Sequence, residues 1–318
     1  RLLENGANSS FVNRIVDKEA PISDLVGSPV LKAKKLLKKL NQAIPLPKDI
    51  FANNRLNSSG VDVSDYQELT ALSQRMEVYK SHQWQAEPLL AHEGKDLHYH
   101  DVYTPFDTER KIGKVAFAKK HQLEAAVVSA QEGHKQWREI HVQKRAECLI
   151  TMANLLEENR DEAFSLLMLE AGKTLNDAIA EVREAIDFCR YYAEQAIELL
   201  SAPTQLQGYT GEINILSYHA RGILLCISPW NFPLAIFLGQ VAASVVVGNS
   251  VLAKPAEQTS LVASFTVKLL HQAGVPKDVV QLITGSGADL GPDLIADKRI
   301  NGVIFTGSTQ TAHIINQG

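Results

Sequence analysis

The last third of the chain alternates short apolar runs with longer helical patterns, and no other feature restricts the fold as much. GILLCIS (222–228), SVLAK (250–254), VVQLI (279–283) and GVIFT (302–306) are separated by helical patterns over 234–247, 260–273 and 289–296. Strand, helix, strand in succession predicts parallel strands joined by helical crossovers, because a tight turn cannot reach a parallel neighbour. The continuous apolar character of 222–227 and 302–305 suits a sheet covered on both faces. Ligands of such a sheet gather beyond the carboxyl ends of its strands, here at Ser228, Lys254, Thr284 and Thr306.

Upstream, DVYTPFDTERKIGKVAFA (101–118) has two strand-like pieces around a Pro/Asp/Gly turn, the pattern of an antiparallel ribbon. Three helical patterns follow, over 119–139, 142–171 and 175–197. Leu149, Met152, Ala153 and Leu156, then Phe164, Leu167 and Ala171, recur at three-and-four spacing, and Gly172 is a stop signal. Residues 1–100 differ. Residues 1–30 read as the end of a helix at Glu4, a Gly6/Asn8 break, a short apolar strand-like piece and a Pro/Ser/Gly loop, and LKAKKLLKKL (31–40) places five lysines on a short helical pattern whose Leu36, Leu37 and Leu40 are free to dock. A solvated lysine face is the commoner account of that helix; contact with a membrane surface is the alternative. Residues 41–66 have the Pro, Asn and Ser content of a linker. The expected divisions are therefore 1–20, 21–100 and 101–318.

Composition narrows the function classes. The 318 residues suffice for about two domains. Lys+Arg 32 against Asp+Glu 36 leaves a net charge of −4, so no global positive field exists to hold nucleic acid. Cys148, Cys189 and Cys226 lie far apart without CxxC spacing, which excludes a disulfide framework and a thiolate metal cluster and suggests a reducing, cytoplasmic setting. The near-apolar run 234–247 is shorter than the roughly 20 residues a spanning helix needs. His92, His98 and His100 have no second ligand cluster nearby and are expected to be surface histidines, not metal ligands. The start at Arg1 and the stop after a helix start suggest a piece of a longer polypeptide.

The residues at the strand ends carry the chemistry. PWNFP (229–233) stands where a G-x-G-x-x-G would stand in the usual dinucleotide fold, so a cofactor must sit differently. KPAEQT (254–259) puts Lys254 and Glu257 at a strand-to-helix turn, both pointing out of the sheet. The cation can donate to sugar hydroxyls, and the carboxylate can accept from them and repel a 2′-phosphate, favouring NAD over NADP. A plain helix-capping role for Pro255 and Glu257 fits the same residues. GSGADLG (285–291) spaces its glycines G-x-G-x-x-x-G after the third strand, and a glycine pair in a tight turn is by itself more often structural. FTGST (305–309) offers a helix start to a phosphate, while Ser308 or Thr309 as an ordinary N-cap is equally compatible. Asn231 is either a turn residue or a side-chain donor to a developing oxyanion. Cys226 lies inside the apolar run ILLCIS and is expected in the core, as are Cys148 and Cys189.

PWNFP, KPAEQT, the Gly-rich turn and FTGST, in this order and at strand ends, resemble the aldehyde dehydrogenase superfamily over about residues 101–318. EAGKTLNDAIAEVREAIDFCRYYAEQA (170–196) is further similar to the L-glutamate gamma-semialdehyde (1-pyrroline-5-carboxylate) dehydrogenases. RLLENGANSSFVNRI (1–15) resembles the closing helix of a proline dehydrogenase barrel, and the pair together resembles the bifunctional bacterial flavoenzymes of the proline utilization A family. The resemblance implies an α/β fold with a Rossmann-like parallel-sheet domain for NAD, preceded by a helical linker and the tail of that barrel. It implies that Ile227, Ser228, Pro229 and Trp230 line the nicotinamide side, that Lys254 and Glu257 hold the adenosine ribose, and that Gly285 passes beneath the adenine. Gly307 and Ser308 would face the pyrophosphate, and Asn231 would complete the oxyanion hole. Arg1 and Glu4 would be remnants of a proline site whose FAD is bound elsewhere in the parent. A homo-oligomer is implied as well.

In that superfamily a cysteine thiolate attacks the aldehyde, hydride leaves to NAD, and a glutamate activates the water that releases the acid. In the family both residues follow FTGST, so the 318 residues are expected to be inactive without the rest of the parent chain. An aldehyde dehydrogenase of other specificity, a non-catalytic nucleotide-binding or assembly module, and a surface binder centred on the lysine-rich helix are the alternatives.

Overall fold

The computed structural model describes residues 15–36, 44–51, 55–92 and 97–317. The chain divides into two compact units, Arg1–Ile50 and Phe51–Gly318. In the first, helices α1 (Ile22–Val26) and α2 (Pro29–Leu36) precede a 3-10 turn at Pro47–Asp49. Lys34 and Lys35 occupy the last turn of α2. The remaining lysine-rich segment with Leu37 and Leu40, the side chain of Leu36, and both Arg1 and Glu4 lie outside the described residues.

The second unit begins well before residue 101, so much of the expected linker is packed structure. Helix α3 (Tyr66–Met76) starts at Asp65, whose carboxylate accepts from Gln67 N and Glu68 N, and it buries Leu72 completely. Strand β1 (Trp84–Ala86) runs parallel to β3 (Asp107–Ala116), which pairs with β2 (Tyr99–Thr104) as the expected antiparallel ribbon. The helical layer follows as α4 (Lys120–Trp137), α5 (Val142–Glu158), α6 (Arg160–Ala171) and α7 (Leu175–Leu200). Ser58 donates its N–H and its hydroxyl to Asp187 of α7 at 2.8 and 2.7 Å, and Arg55 pairs with Glu194 at 2.7 Å. Serine-rich composition marks a loop; whether that loop is free or bonded to a helix depends on what the fold brings beside it.

One helix expected over 142–171 is two. Asn159 (φ −99°, ψ 19°) donates both its backbone N–H and its side-chain amide to Leu155 O, at 3.0 and 2.8 Å, and ends α5. Both helices bury their apolar faces in one core, with Leu149, Met152, Leu156 and Leu167 fully buried, so the periodicity runs through the break. EINILSY contributes β5 (Asn214–Leu216), which pairs with β4 (Thr204–Leu206) in a separate, exposed two-stranded ribbon.

The parallel sheet has the order β8-β7-β6-β9, formed by β6 (Ile223–Ile227), β7 (Ser250–Lys254), β8 (Val280–Leu282) and β9 (Ile300–Phe305). Helices α8 (Ala235–Val246), α9 (Ser260–Gln272) and α10 (Gly287–Ile295) make the crossovers, and α11 (Thr309–Gln317) follows β9. Ile223 and Leu225 cluster with Leu123 and Val127 of α4, whereas Cys226 belongs to the cluster of Phe237 and Val241 of α8. This is the period-two alternation of a strand covered on both faces. The same expectation fails for 302–305. Those residues are only half-buried, because β9 is the edge strand and α11 buries none of its side chains. Among the described residues no helix is long and apolar enough to cross a membrane.

The chain moves from β6 outward to β8 and then returns to place β9 on the other side of β6. That reversal opens a crevice at the carboxyl ends of β6 and β9. The helix that leaves β7 has no cap from its own sequence. Leu261 N and Val262 N of α9 instead donate to the two carboxylate oxygens of Glu170 in α6, each at 2.8 Å. Burial pushes the Glu170 carboxyl up to about 8 from an ordinary 4.5. The folded chain therefore holds a proton that the unfolded chain releases between those values, and this group's stability contribution is full below about pH 4.5 and lost as pH rises through about 8. Urea unfolding at pH 5.5 and 8.5 is expected to show a fall in stability that Glu170→Gln flattens; equal slopes for both proteins would contradict it.

Candidate functional site

The ends of β6, β7 and β9 and the start of α10 enclose a cleft of about 1220 Å³. It brings together Ile227, Ser228, Pro229, Trp230 and Asn231 at and after the end of β6, Lys254 and Glu257 at and after the end of β7, and Thr306, Gly307 and Ser308 after β9, ten of the expected residues. The crevice is cross-linked by a residue that sequence reasoning passed over. Gln240 of α8 donates from Nε2 to Ile227 O at 3.3 Å and to Thr306 Oγ1 at 3.0 Å, tying the end of β6 to the end of β9. Its signal was a glutamine that, with Ser244, interrupts a nearly apolar helix.

Lys254 leaves the end of β7 toward the cleft and is itself buried. It is 4% exposed and its Nζ donates to Pro255 O at 2.9 Å. Burial lowers its pKa, and the nearby Glu257 carboxylate partly restores it. The ammonium nevertheless lines the cleft, 3.8 Å from where a Cβ on Gly287 would sit. Glu257 opens a short 3-10 turn and is exposed. The capping role considered for it belongs to Glu170, which accepts from the first turn of α9, so the Glu257 carboxylate is not consumed there. Ser228 is 4% exposed, and its Oγ has no hydrogen-bond partner within the protein. A buried hydroxyl in that state is stabilised by a ligand or solvent that bonds to it.

Two expected residues are turned elsewhere. Thr284 is fully buried and donates to Ala116 O at 2.7 Å, joining the parallel sheet to the ribbon. Gly285 (φ +150°) is buried, and a Cβ there would meet Leu290 at 2.6 Å; Ser286 and Gly287 line the cleft in its place. The Gly-rich turn bends back onto its own helix before the chain reaches the cleft. After β9, a Cβ on Gly307 would fall 2.6 Å from the Phe305 ring. Ser308 both lines the cleft and caps α11, accepting from Thr311 N at 3.1 Å.

None of the three cysteines lines the cleft. Burial pushes the thiols of Cys189 and Cys226 up to about 12, which suppresses the thiolate. Cys148 departs from the expected core position: it is half-buried, with its pKa also raised by burial. Asn231 and its neighbours Trp230 and Phe232 are exposed, with Trp230 at 59%. The arrangement is a dinucleotide-sized crevice with a buried cation, an unpaired hydroxyl and a polar amide at its mouth.

This fold and these strand-end motifs define a class, and residues 92–318 match the family model described as "Aldehyde dehydrogenase family". The chain belongs to the aldehyde dehydrogenase family. All of it aligns at 42% identity with the bifunctional protein PutA of Salmonella typhimurium, of which it spans 24%. A solved mutant of Bradyrhizobium japonicum proline utilization A is likewise 42% identical, with a TM-score of 0.80 over 100% of this chain and 29% of that one. A Thermus 1-pyrroline-5-carboxylate dehydrogenase solved with bound NAD is 29% identical, with a TM-score of 0.77 over 82% of this chain and 51% of that one. The chain thus spans about a quarter of the length of the curated relative it matches in full.

Proposed function

We propose that these residues form the NAD-binding part of an enzyme that oxidises L-glutamate gamma-semialdehyde (1-pyrroline-5-carboxylate) to glutamate in proline catabolism. The observation that carries the reading is the cleft lining, where the buried Lys254 ammonium and the unpartnered Ser228 hydroxyl face one crevice at the reversal of strand order. Lys254 and Glu257 bind the ribose hydroxyls, and the Glu257 carboxylate disfavours a 2′-phosphate. The 286–288 turn and the Gly307–Ser308 turn receive the remainder of the dinucleotide, with helix starts beside its phosphates. Ile227, Pro229 and Trp230 shape the nicotinamide side. NAD, when bound, supplies the hydride acceptor. Asn231 donates its amide to the oxygen on which negative charge develops.

On this reading the thiolate and the water-activating carboxylate come from the rest of the polypeptide, in keeping with the absence of all three cysteines from the cleft lining. FAD-dependent oxidation of proline also resides there; the alignment of this whole chain with 24% of the bifunctional protein PutA supports that reading. A cytoplasmic setting agrees with three free thiols. Ile213 and Ile215, 77% and 61% exposed on and beside the small ribbon, suit burial against a second copy.

Titration of the 318-residue chain with NAD tests the reading. Binding is expected, and Lys254→Ala is expected to weaken it by about 10- to 100-fold, the loss of charge-assisted hydrogen bonds. Glu257→Ala should narrow the preference over NADP. Thermal melting of each variant confirms that it is folded. An unchanged NAD affinity in folded Lys254→Ala would remove this cleft as the dinucleotide site and favour an assembly module.

A further inference from the structure

The segment GKT (172–174) takes no part in the cleft, yet it is built to hold one side chain still. Gly172, at φ +67°, ends α6 in the left-handed conformation, where a side chain is disfavoured and a Cβ would press on Pro105 at 3.1 Å. Thr174 starts α7 by accepting from Asp177 N at 3.2 Å. Lys173 is therefore fixed between a C-cap and an N-cap, and its side chain is only 12% exposed. Its Nζ lies 2.8 Å from Glu181 Oε2 and 4.2 Å from the centroid of the Phe232 ring.

Glu181, eight residues further on in α7, is buried. Its Oε1 accepts from Leu234 N at 2.8 Å and Ala235 N at 3.1 Å, the first amides of α8, which has no side-chain cap of its own. A buried carboxylate without a cation is costly, and Lys173 supplies the counter-charge. One ammonium thus grips the turn 229–233 twice: at the ring of Phe232, next to Asn231, and through Glu181 at the amides that follow Pro233. A cation over an aromatic face and a charge-assisted cap both restrict orientation as well as adding energy.

We infer that Lys173 and Glu181 are positioning residues that set the orientation of the Asn231 amide, a role that rests on the reading of Asn231 as the oxyanion donor. Neither touches the reacting atoms; each acts through the turn. Misplacing a catalytic group by a fraction of an ångström to an ångström costs rate without costing cofactor affinity, which Lys254 and Glu257 carry separately.

The test uses the full-length enzyme, assayed for NADH formation from the semialdehyde, with NAD affinity and thermal melting measured in parallel. Lys173→Met is expected to lower kcat about 10- to 100-fold, with the Kd for NAD within about twofold of native and Lys173→Arg recovering most of the rate. Because the clamp acts through Asn231, the Lys173→Met, Asn231→Ala double variant is expected to be no slower than Asn231→Ala alone. Losses that multiply in the double variant, or a native kcat in Lys173→Met, would overturn the clamp. Should Lys173→Met not fold, Phe232→Leu, which leaves the ion pair in place, is put through the same comparison with the same two overturning results. A native kcat in Asn231→Ala would overturn the oxyanion reading and the clamp with it, whereas a slowed Asn231→Ala beside an unaffected Lys173→Met overturns the clamp alone.

Discussion

Asn231→Ala in the full-length enzyme is expected to lower kcat about 10²–10³-fold, or roughly 3–4 kcal/mol of transition-state stabilisation, while NAD binds as before. The size follows from what the side chain does and where it sits. Asn231 is held between Pro229 and Pro233, whose fixed φ angles restrict the turn, and it lines the crevice from its mouth without taking part in the core. On the proposed role, deleting its amide removes a donor aimed at developing charge, while the packing of α8, in which Asn231 takes no part, stays intact. Steady-state NADH formation and NAD titration separate the two effects. A loss of less than about threefold, far below the cost of removing an oxyanion donor, would mean that the residue serves only the turn.

Phe237→Ala is expected to destabilise the second unit by about 3–5 kcal/mol, the usual cost of emptying a buried aromatic site. Phe237 is fully buried in α8, a helix packed against α7, β6 and β7. The helix pair has little room to close over a void: a Cβ on Gly239 would already stand 3.1 Å from the Phe188 ring. Urea unfolding of the 318-residue chain reads the loss directly. A change below about 1 kcal/mol would show that α8 can collapse into the vacated space.

The two variants probe properties that differ in how far they can be read from residues alone. The parallel sheet was legible because helix and strand periodicities are local: the apolar runs 222–228, 250–254, 279–283 and 302–306 end close to where the strands end. The strand-end motifs were legible for the same reason, and nine of the ten expected NAD-site and oxyanion residues line one cleft. Misreadings fell where hydrogen-bond partners or strand order decide, not periodicity. Asn159 breaks a helix through its own side chain, but the shared core behind it keeps the pattern continuous. Residues 55–59 look like linker, yet Asp187 and Glu157, about a hundred or more positions away, accept their hydrogen bonds. β9 looks fully buried and is not, since its place at the sheet edge is a matter of strand order.

By itself the sequence determined the class of fold, the order of its elements and the short list of residues at the strand ends, because each of these follows from periodicity and turn chemistry within a few positions. Only the tertiary structure decided which of those residues face the crevice. Ser228 keeps a free hydroxyl there and Lys254 a buried ammonium, while Thr284 bonds to the ribbon and Gly285 is closed over by Leu290 of α10. It also decided what holds the crevice in shape: Glu170 reaches the start of α9 across 91 positions and Glu181 the start of α8 across 53. The physical reason is that a side chain's direction at the end of a strand is chosen by the partners available to its polar atoms, and those partners are neighbours in space and not in the chain.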